Sequence, residues 1–212
     1  MPAKIVLATR NQGKLQELRQ MLAGSIEGLD VEQEVLDAGS LGVADVPETG
    51  LTFAENSLLK ARALAQATGL IAIADDSGLA VDVLGGAPGI FSARWAGEHG
   101  NDQANLNLLL AQLADIADEH RQARFVCAAS IVTPDGFEVV EEGALSGTLL
   151  RQPQGEGGFG YDPILAPDQL TGQYAGLSCA QIPAELKNSI SHRGQALAKL
   201  LPHLAQLLGP KA

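Results

Sequence analysis

The run Leu70-Ile71-Ala72-Ile73-Ala74-Asp75-Asp76-Ser77-Gly78 decides the fold class of this chain. Leu70 to Ala74 reads as a buried strand that ends abruptly at the two acids. Directly before it, Thr52-Phe53-Ala54-Glu55 fits a capping box, Leu58, Ala61 and Ala65 form an apolar stripe, and Gly69 closes the predicted helix. Upstream, Lys4 to Ala8 is a short apolar run followed by the polar turn Thr9 to Lys14. Leu15, Leu18 and Leu22 then recur at helical spacing, with Gly24 placed to stop them. The segment is strand, polar turn, helix.

Downstream the pattern changes. A Gly- and Pro-rich stretch, Gly85 to Gly89, precedes a helix with Leu106, Leu109, Leu110 and Leu113 as its stripe. Phe125 to Val132 and Phe137 to Leu150 read as two strands joined by a turn at Pro134-Asp135-Gly136. The last helix carries Leu197, Leu200, Leu201, Leu204 and Leu208, and Pro202 inside that pattern predicts a kink or break. Strands alternating with helices early and paired strands later predict one α/β domain over residues 1–212 with a mixed sheet.

Composition narrows the function. Fourteen Lys and Arg against 25 Asp and Glu leave a formal charge of −11, which opposes bulk binding to nucleic acid or an anionic membrane. No apolar run approaches the ~18 residues of a membrane span, and the N-terminal stretch lacks the pattern of a signal peptide, so a cytoplasmic protein is expected. Cys127 and Cys179 are too few for a disulfide framework or a zinc site and read as small buried hydrophobes.

Five segments carry possible chemistry. At Thr9, Arg10, Asn11, Gln12, Gly13 and Lys14, a polar turn leads into a helix N-terminus, where free N–H groups, a hydroxyl, an amide and an ammonium make a phosphate cradle. The plain alternative is that Asn11 caps the helix and Lys14 is solvated. Glu48, Asp75 and Asp76 form an acidic set, and hard carboxylate oxygens suit Mg²⁺. Alternation along a strand turns Asp75 and Asp76 to opposite sides. Lys60 lies four residues after Asn56, on one helical face away from the apolar stripe. The loop Gly155 to Asp162 alternates Phe159 and Tyr161 with glycine, which suits two rings gripping a flat base. Lys187, followed by Ser191-His192-Arg193, suits recognition of an anion or a carbonyl. No Ser-His-Asp or Cys-His set emerges, so covalent hydrolysis is disfavoured.

Taken together and in order, six stretches of the chain resemble one family. They are Thr9 to Lys14, Glu55-Asn56 through Lys60-Ala61, Ile73 to Leu79, Gly85 to Gly89, Gly158 to Pro163, and Ser191 to Gly194. The family is the non-canonical purine nucleoside triphosphate pyrophosphatases of the Ham type, in its bacterial branch. The resemblance implies hydrolysis of ITP, dITP and XTP to the monophosphate and pyrophosphate with Mg²⁺. It also implies two α/β lobes on a long mixed sheet around a deep nucleotide cleft, and a homodimer. By position, Thr9 to Lys14 would hold the triphosphate, and Glu48 and Asp76 the metal. Asp76 would be the general base, and Lys60 would neutralise phosphate charge. Ser77, Phe159, Gly160, Tyr161 and Asp162 would contact the nucleotide, and Lys187, His192 and Arg193 would read the purine.

Two other readings compete. A nucleotide-binding regulatory module needs no acid at the strand end, so Asp75-Asp76 speaks against it. A septum-inhibitor type pyrophosphatase for modified pyrimidine nucleotides is disfavoured by His192-Arg193 and the Gly-Phe-Gly-Tyr-Asp loop.

Overall fold

The computed structural model describes residues 3–9, 12–23, 26 and 28–209. Its elements run β1 (Ile5–Leu7), α1 (Gln12–Leu22), α2 (Val31–Glu34), β2 (Val35–Asp37), α3 (Phe53–Thr68) and β3 (Ile71–Val81). They continue with α4 (Asp102–Gln112), β4 (Gln122–Val132), β5 (Glu138–Leu149), β6 (Leu165–Pro167), α5 (Ala184–Ile190) and α6 (His192–Leu208). The strands form one six-stranded sheet in the order β2-β1-β3-β4-β5-β6. β1 runs parallel to both β2 and β3, whereas β5 and β6 are antiparallel. The chain is therefore an α/β protein on a mixed sheet flanked by helices.

Local chemistry explains α3 well. Thr52 Oγ1 accepts the Glu55 N–H at 3.1 Å, and Gly69, at φ +67°, ends the helix with its N–H on the Ala65 carbonyl. The reciprocal arm of the box is displaced by one residue: Glu55 Oε2 accepts from Leu51 N–H at 2.6 Å. Ala61, Leu64 and Ala65 bury their face against Val6, Ala72, Ala74 and Val132. That burial puts α3 over β3.

Two expectations need correction. β3 does not stop at Asp75 but runs eleven residues to Val81, so Asp75, Asp76 and Ser77 lie within the strand. Leu79, Ala80 and Val81 are all buried, and their burial holds the chain extended past two acids with poor strand preference. Likewise α6 continues through Pro202. The proline costs about 3 kcal/mol in a helix interior. It stands on the exposed side, while Ala196, Leu197, Leu200 and Leu204 are buried, and their packing outweighs that cost.

The chain divides into two compact units. One takes the chain up to Asp76, Ala128–Glu142 and Gln195 onward; the other takes Ser77–Cys127 and Gly143–Gly194. In the second, Leu79, Val81, Leu106, Leu109, Leu145 and Ile164 belong to a largely aliphatic core that also takes in Phe125 and Tyr161. There the buried Arg121 guanidinium donates to the carbonyls of Leu113, Leu149 and Leu150 at 2.7–3.0 Å, tying the end of α4 to the end of β5.

Both cysteines are free and buried, as their composition reading had it. Burial, with the Asp162 charge adding to it, pushes the Cys179 thiol up to about 12. Since the thiolate is the reacting form, neither cysteine should titrate with an aromatic disulfide reagent at pH 8 in the native protein, and both should in denaturant. A fast-reacting thiol in the native state would contradict this packing.

Candidate active site

In the first unit, α3 presents Asn56 and Lys60 one turn apart, and both reach the Asp76 carboxylate. Lys60 Nζ lies 2.9 Å from Glu48 Oε1 and 3.4 Å from Asp76 Oδ1. Asn56 Nδ2 donates to Asp76 Oδ2 at 3.1 Å. Burial holds the Asp76 carboxyl above the usual carboxylate range and Glu48 adds to the rise, while Lys60 and Asn56 pull against it. For Lys60, burial works against the charged form, but Asp76 and Glu48 outweigh it and hold its pKa above the ordinary value. The result is a carboxylate of raised basicity beside a fixed ammonium. Asp75 is buried, and the Asp76 side chain is 11% exposed.

Whether this set suits Mg²⁺ can be tested on its chemistry. One cationic nitrogen already draws together an oxygen from Glu48 and one from Asp76, so the two carboxylates converge on a positive charge. Both are hard oxygen donors, and Mg²⁺ commonly takes one or two protein carboxylates with the rest from water and phosphate. Among the described residues, no group of three or more His, Cys, Asp and Glu side chains stands together in a metal-holding arrangement. The donor set fits a substrate-completed Mg²⁺ site rather than an all-protein cage.

Thr9 follows β1 and is buried, its N–H on the Leu7 carbonyl at 2.8 Å. Gln12, Gly13 and Lys14 form the first turn of α1, while Arg10 and Asn11 lie outside the described residues.

The second unit holds the remaining candidates. Asp162 Oδ2 accepts from Lys187 Nζ at 2.5 Å and from the Phe159 N–H at 2.8 Å. The same ammonium lies 5.3 Å from the Phe159 ring centroid, a cation–π contact. Gly158, at φ +74°, packs directly on this pair: a Cβ there would overlap the Asp162 carboxylate and crowd Lys187. Gly160 donates its N–H to Asp102 Oδ2 at 2.8 Å, from the first turn of α4. Arg193 Nη2 donates to Ser77 Oγ at 3.4 Å, and the His192 ring stacks on Phe125 at 5.1 Å.

This geometry revises one reading. Of the two rings expected to grip a base, only Phe159 is open, at 63% exposed; Tyr161 is buried in the core with its hydroxyl on the Ser92 carbonyl at 2.9 Å. Tyr161 anchors the loop and Phe159 is its exposed ring. Asp162 supports the loop through Phe159 and Lys187, a pairing 25 residues apart that spacing does not reveal. Asn56 and Asp102 were also missed as partners. Asn56 had one signal, its place one turn before Lys60; Asp102 had none.

A family model, described as the Ham1 family, matches residues 5–203. A dITP/XTP pyrophosphatase of Streptomyces coelicolor is 61% identical over 97% of this chain and 99% of its own length. One from Corynebacterium efficiens is 52% identical over the same shares. Among solved structures, a HAM1 protein from Coxiella burnetii aligns with a TM-score of 0.84 at 37% identity, over 96% of this chain and 99% of that one. A nucleoside-triphosphatase / dITP/XTP pyrophosphatase from Mycobacterium abscessus aligns at 0.77 and 49% identity, over 96% and 100%. With a family match over residues 5–203 and this likeness along nearly its whole length, the chain belongs to the Ham1 family.

Proposed function

We propose that this chain hydrolyses non-canonical purine nucleoside triphosphates, ITP, dITP and XTP, to the nucleoside monophosphate and pyrophosphate. The observation that carries the reading is the Glu48–Lys60–Asp76 set, on a chain 61% identical to a dITP/XTP pyrophosphatase. Asp76 takes a proton from the attacking water. A new P–O bond forms, the α–β anhydride P–O bond breaks, and pyrophosphate leaves. Lys60 offsets charge on the phosphates, and residues Thr9 to Lys14 hold the triphosphate. Glu48 and Asp76 would hold Mg²⁺, which when bound neutralises phosphate charge and favours the leaving pyrophosphate. No covalent nucleophile is needed.

Base choice falls to a separate group of side chains. Phe159 stacks on the purine, Ser77 and Gly160 contact the nucleotide, and Lys187, His192 and Arg193 face its edge. Donors aimed at a 6-keto oxygen accept hypoxanthine and xanthine, whereas the 6-amino group of adenine sets donor against donor. The protein acts as a homodimer in the cytoplasm, on free nucleotides rather than nucleic acid or membrane. The −11 charge supports the last point, and among the described residues no helix is long and apolar enough to span a membrane.

The deciding experiment is pyrophosphate release from ITP, dITP, XTP, dTTP, UTP and ATP in parallel. The 6-keto purines should lead. A preference for dTTP or UTP would point instead to modified pyrimidine substrates, and binding without turnover to a regulatory module. In EDTA the activity should vanish and return with Mg²⁺; activity that persists in chelator removes Glu48 and Asp76 from metal roles.

Arg193→Ala separates base reading from phosphate binding. A buried hydrogen bond to a charged group is worth about 1.5–3 kcal/mol, or roughly 10- to 150-fold in kcat/KM. The loss should fall on ITP and XTP, with ATP little changed. An unchanged ITP-to-ATP ratio would overturn the base-reading role.

A further inference from the structure

We propose that Asn56 is a positioning residue that sets the pose of the Asp76 carboxylate and couples it to the segment bearing Glu48; this rests on the reaction proposed above. Asn56 is fully buried, at 0% exposed, in the first turn of α3. A buried side-chain amide that lost its partners would be costly, and this one spends both ends on the site. Its Oδ1 accepts the Gly50 N–H at 2.7 Å, two residues beyond Glu48. Its Nδ2 donates to Asp76 Oδ2 at 3.1 Å.

The orientation of the amide follows from its partners. A backbone N–H can only donate, so the carbonyl end must face Gly50, and the NH₂ end is thereby aimed at Asp76. Lys60, one turn on, takes the other oxygen, Asp76 Oδ1, at 3.4 Å. Two successive turns of one helix thus hold the two oxygens of one carboxylate, which fixes the plane of the carboxylate as well as its place. Gly50 completes the joint: a Cβ there would lie 2.7 Å from Asn56 Oδ1 and 2.7 Å from Glu55 Cβ. Only a glycine lets this backbone approach the amide so closely.

Two variants press on the joint from opposite sides. Asn56→Asp keeps shape and the acceptor for Gly50 but sets an oxygen against Asp76 Oδ2. Gly50→Ala replaces none of the site side chains, but its added Cβ, 2.7 Å from Asn56 Oδ1, displaces the amide. The variants are compared with wild type in kcat and KM for dITP, in calorimetric affinity for the non-cleavable α,β-methylene analogue of ITP with Mg²⁺, and in thermal melting. Supporting groups of this kind typically contribute 10- to 100-fold. The expected result is a kcat lower by roughly that factor in both variants, with KM and analogue affinity within about threefold of wild type. If Asn56→Asp does not fold, Gly50→Ala decides alone. A kcat within about threefold of wild type overturns the inference, as does a loss of kcat matched by equal losses of analogue affinity and melting temperature, which marks a purely structural role. A wild-type chain that turns over none of the six triphosphates overturns the assigned reaction and this inference with it. An active wild type beside an active Asn56→Asp overturns this inference alone.

Discussion

Asp76→Asn should lower kcat on ITP or dITP by about 10³-fold or more while nucleotide binding survives. A general base typically contributes about 10²–10⁴-fold, and loss of a carboxylate ligand adds to it. The amide is nearly isosteric, so the strand around it persists. Its chemistry is nonetheless wrong on both sides. Asp76 accepts from Lys60 at one oxygen and from Asn56 at the other, and an amide can accept at only one of them. Its NH₂ group would then face a donor. Single-turnover rates and calorimetric affinity for a non-cleavable analogue would separate chemistry from binding. A variant within about threefold of wild type in kcat would remove Asp76 from the reaction.

Asp162→Ala should lower both stability and apparent affinity. The Asp162 side chain is 7% exposed and the Lys187 side chain 19% exposed. Removing one member of a buried pair leaves the other charge uncompensated and costs about 3 kcal/mol. For a chain of this length that is a fall in Tm of roughly 6–12 °C. The Phe159 N–H also loses its acceptor, so the exposed ring is no longer held in place, and KM for purine triphosphates should rise more than kcat falls. Asp162→Asn keeps an acceptor without the charge and should fall between wild type and Ala on both measures. A melting temperature unchanged in the Ala variant would mean that the pair with Lys187 contributes nothing to the fold.

Much of this molecule is legible in short windows. The helix from Thr52 to Gly69 announces itself because its cap, its stripe and its terminal glycine act within a few residues of one another. The turns at Pro134-Asp135-Gly136 and the stripe of α4 are of the same kind. Asp76, Lys60 and the Gly-Phe-Gly-Tyr-Asp loop stand out as candidates by residue type. Short elements such as β2, β6 and α5 escaped, being three to seven residues long with no period of their own.

What the sequence determined by itself was the set of chemical groups and the local tendency of each segment. Tertiary packing decided wherever two tendencies compete. The burial of Leu79 to Val81 carries β3 past two acids, and the buried face of α6 carries it through Pro202. Packing also chose between two similar aromatic residues, sending Tyr161 into the core and leaving Phe159 in the open. It joined Asp162 to Lys187 across 25 residues and Asn56 to Asp76 across 20. The physical reason is one of range. Caps and periods are settled between neighbours along the chain, whereas burial and ion pairing are settled between surfaces that meet only once the chain has folded.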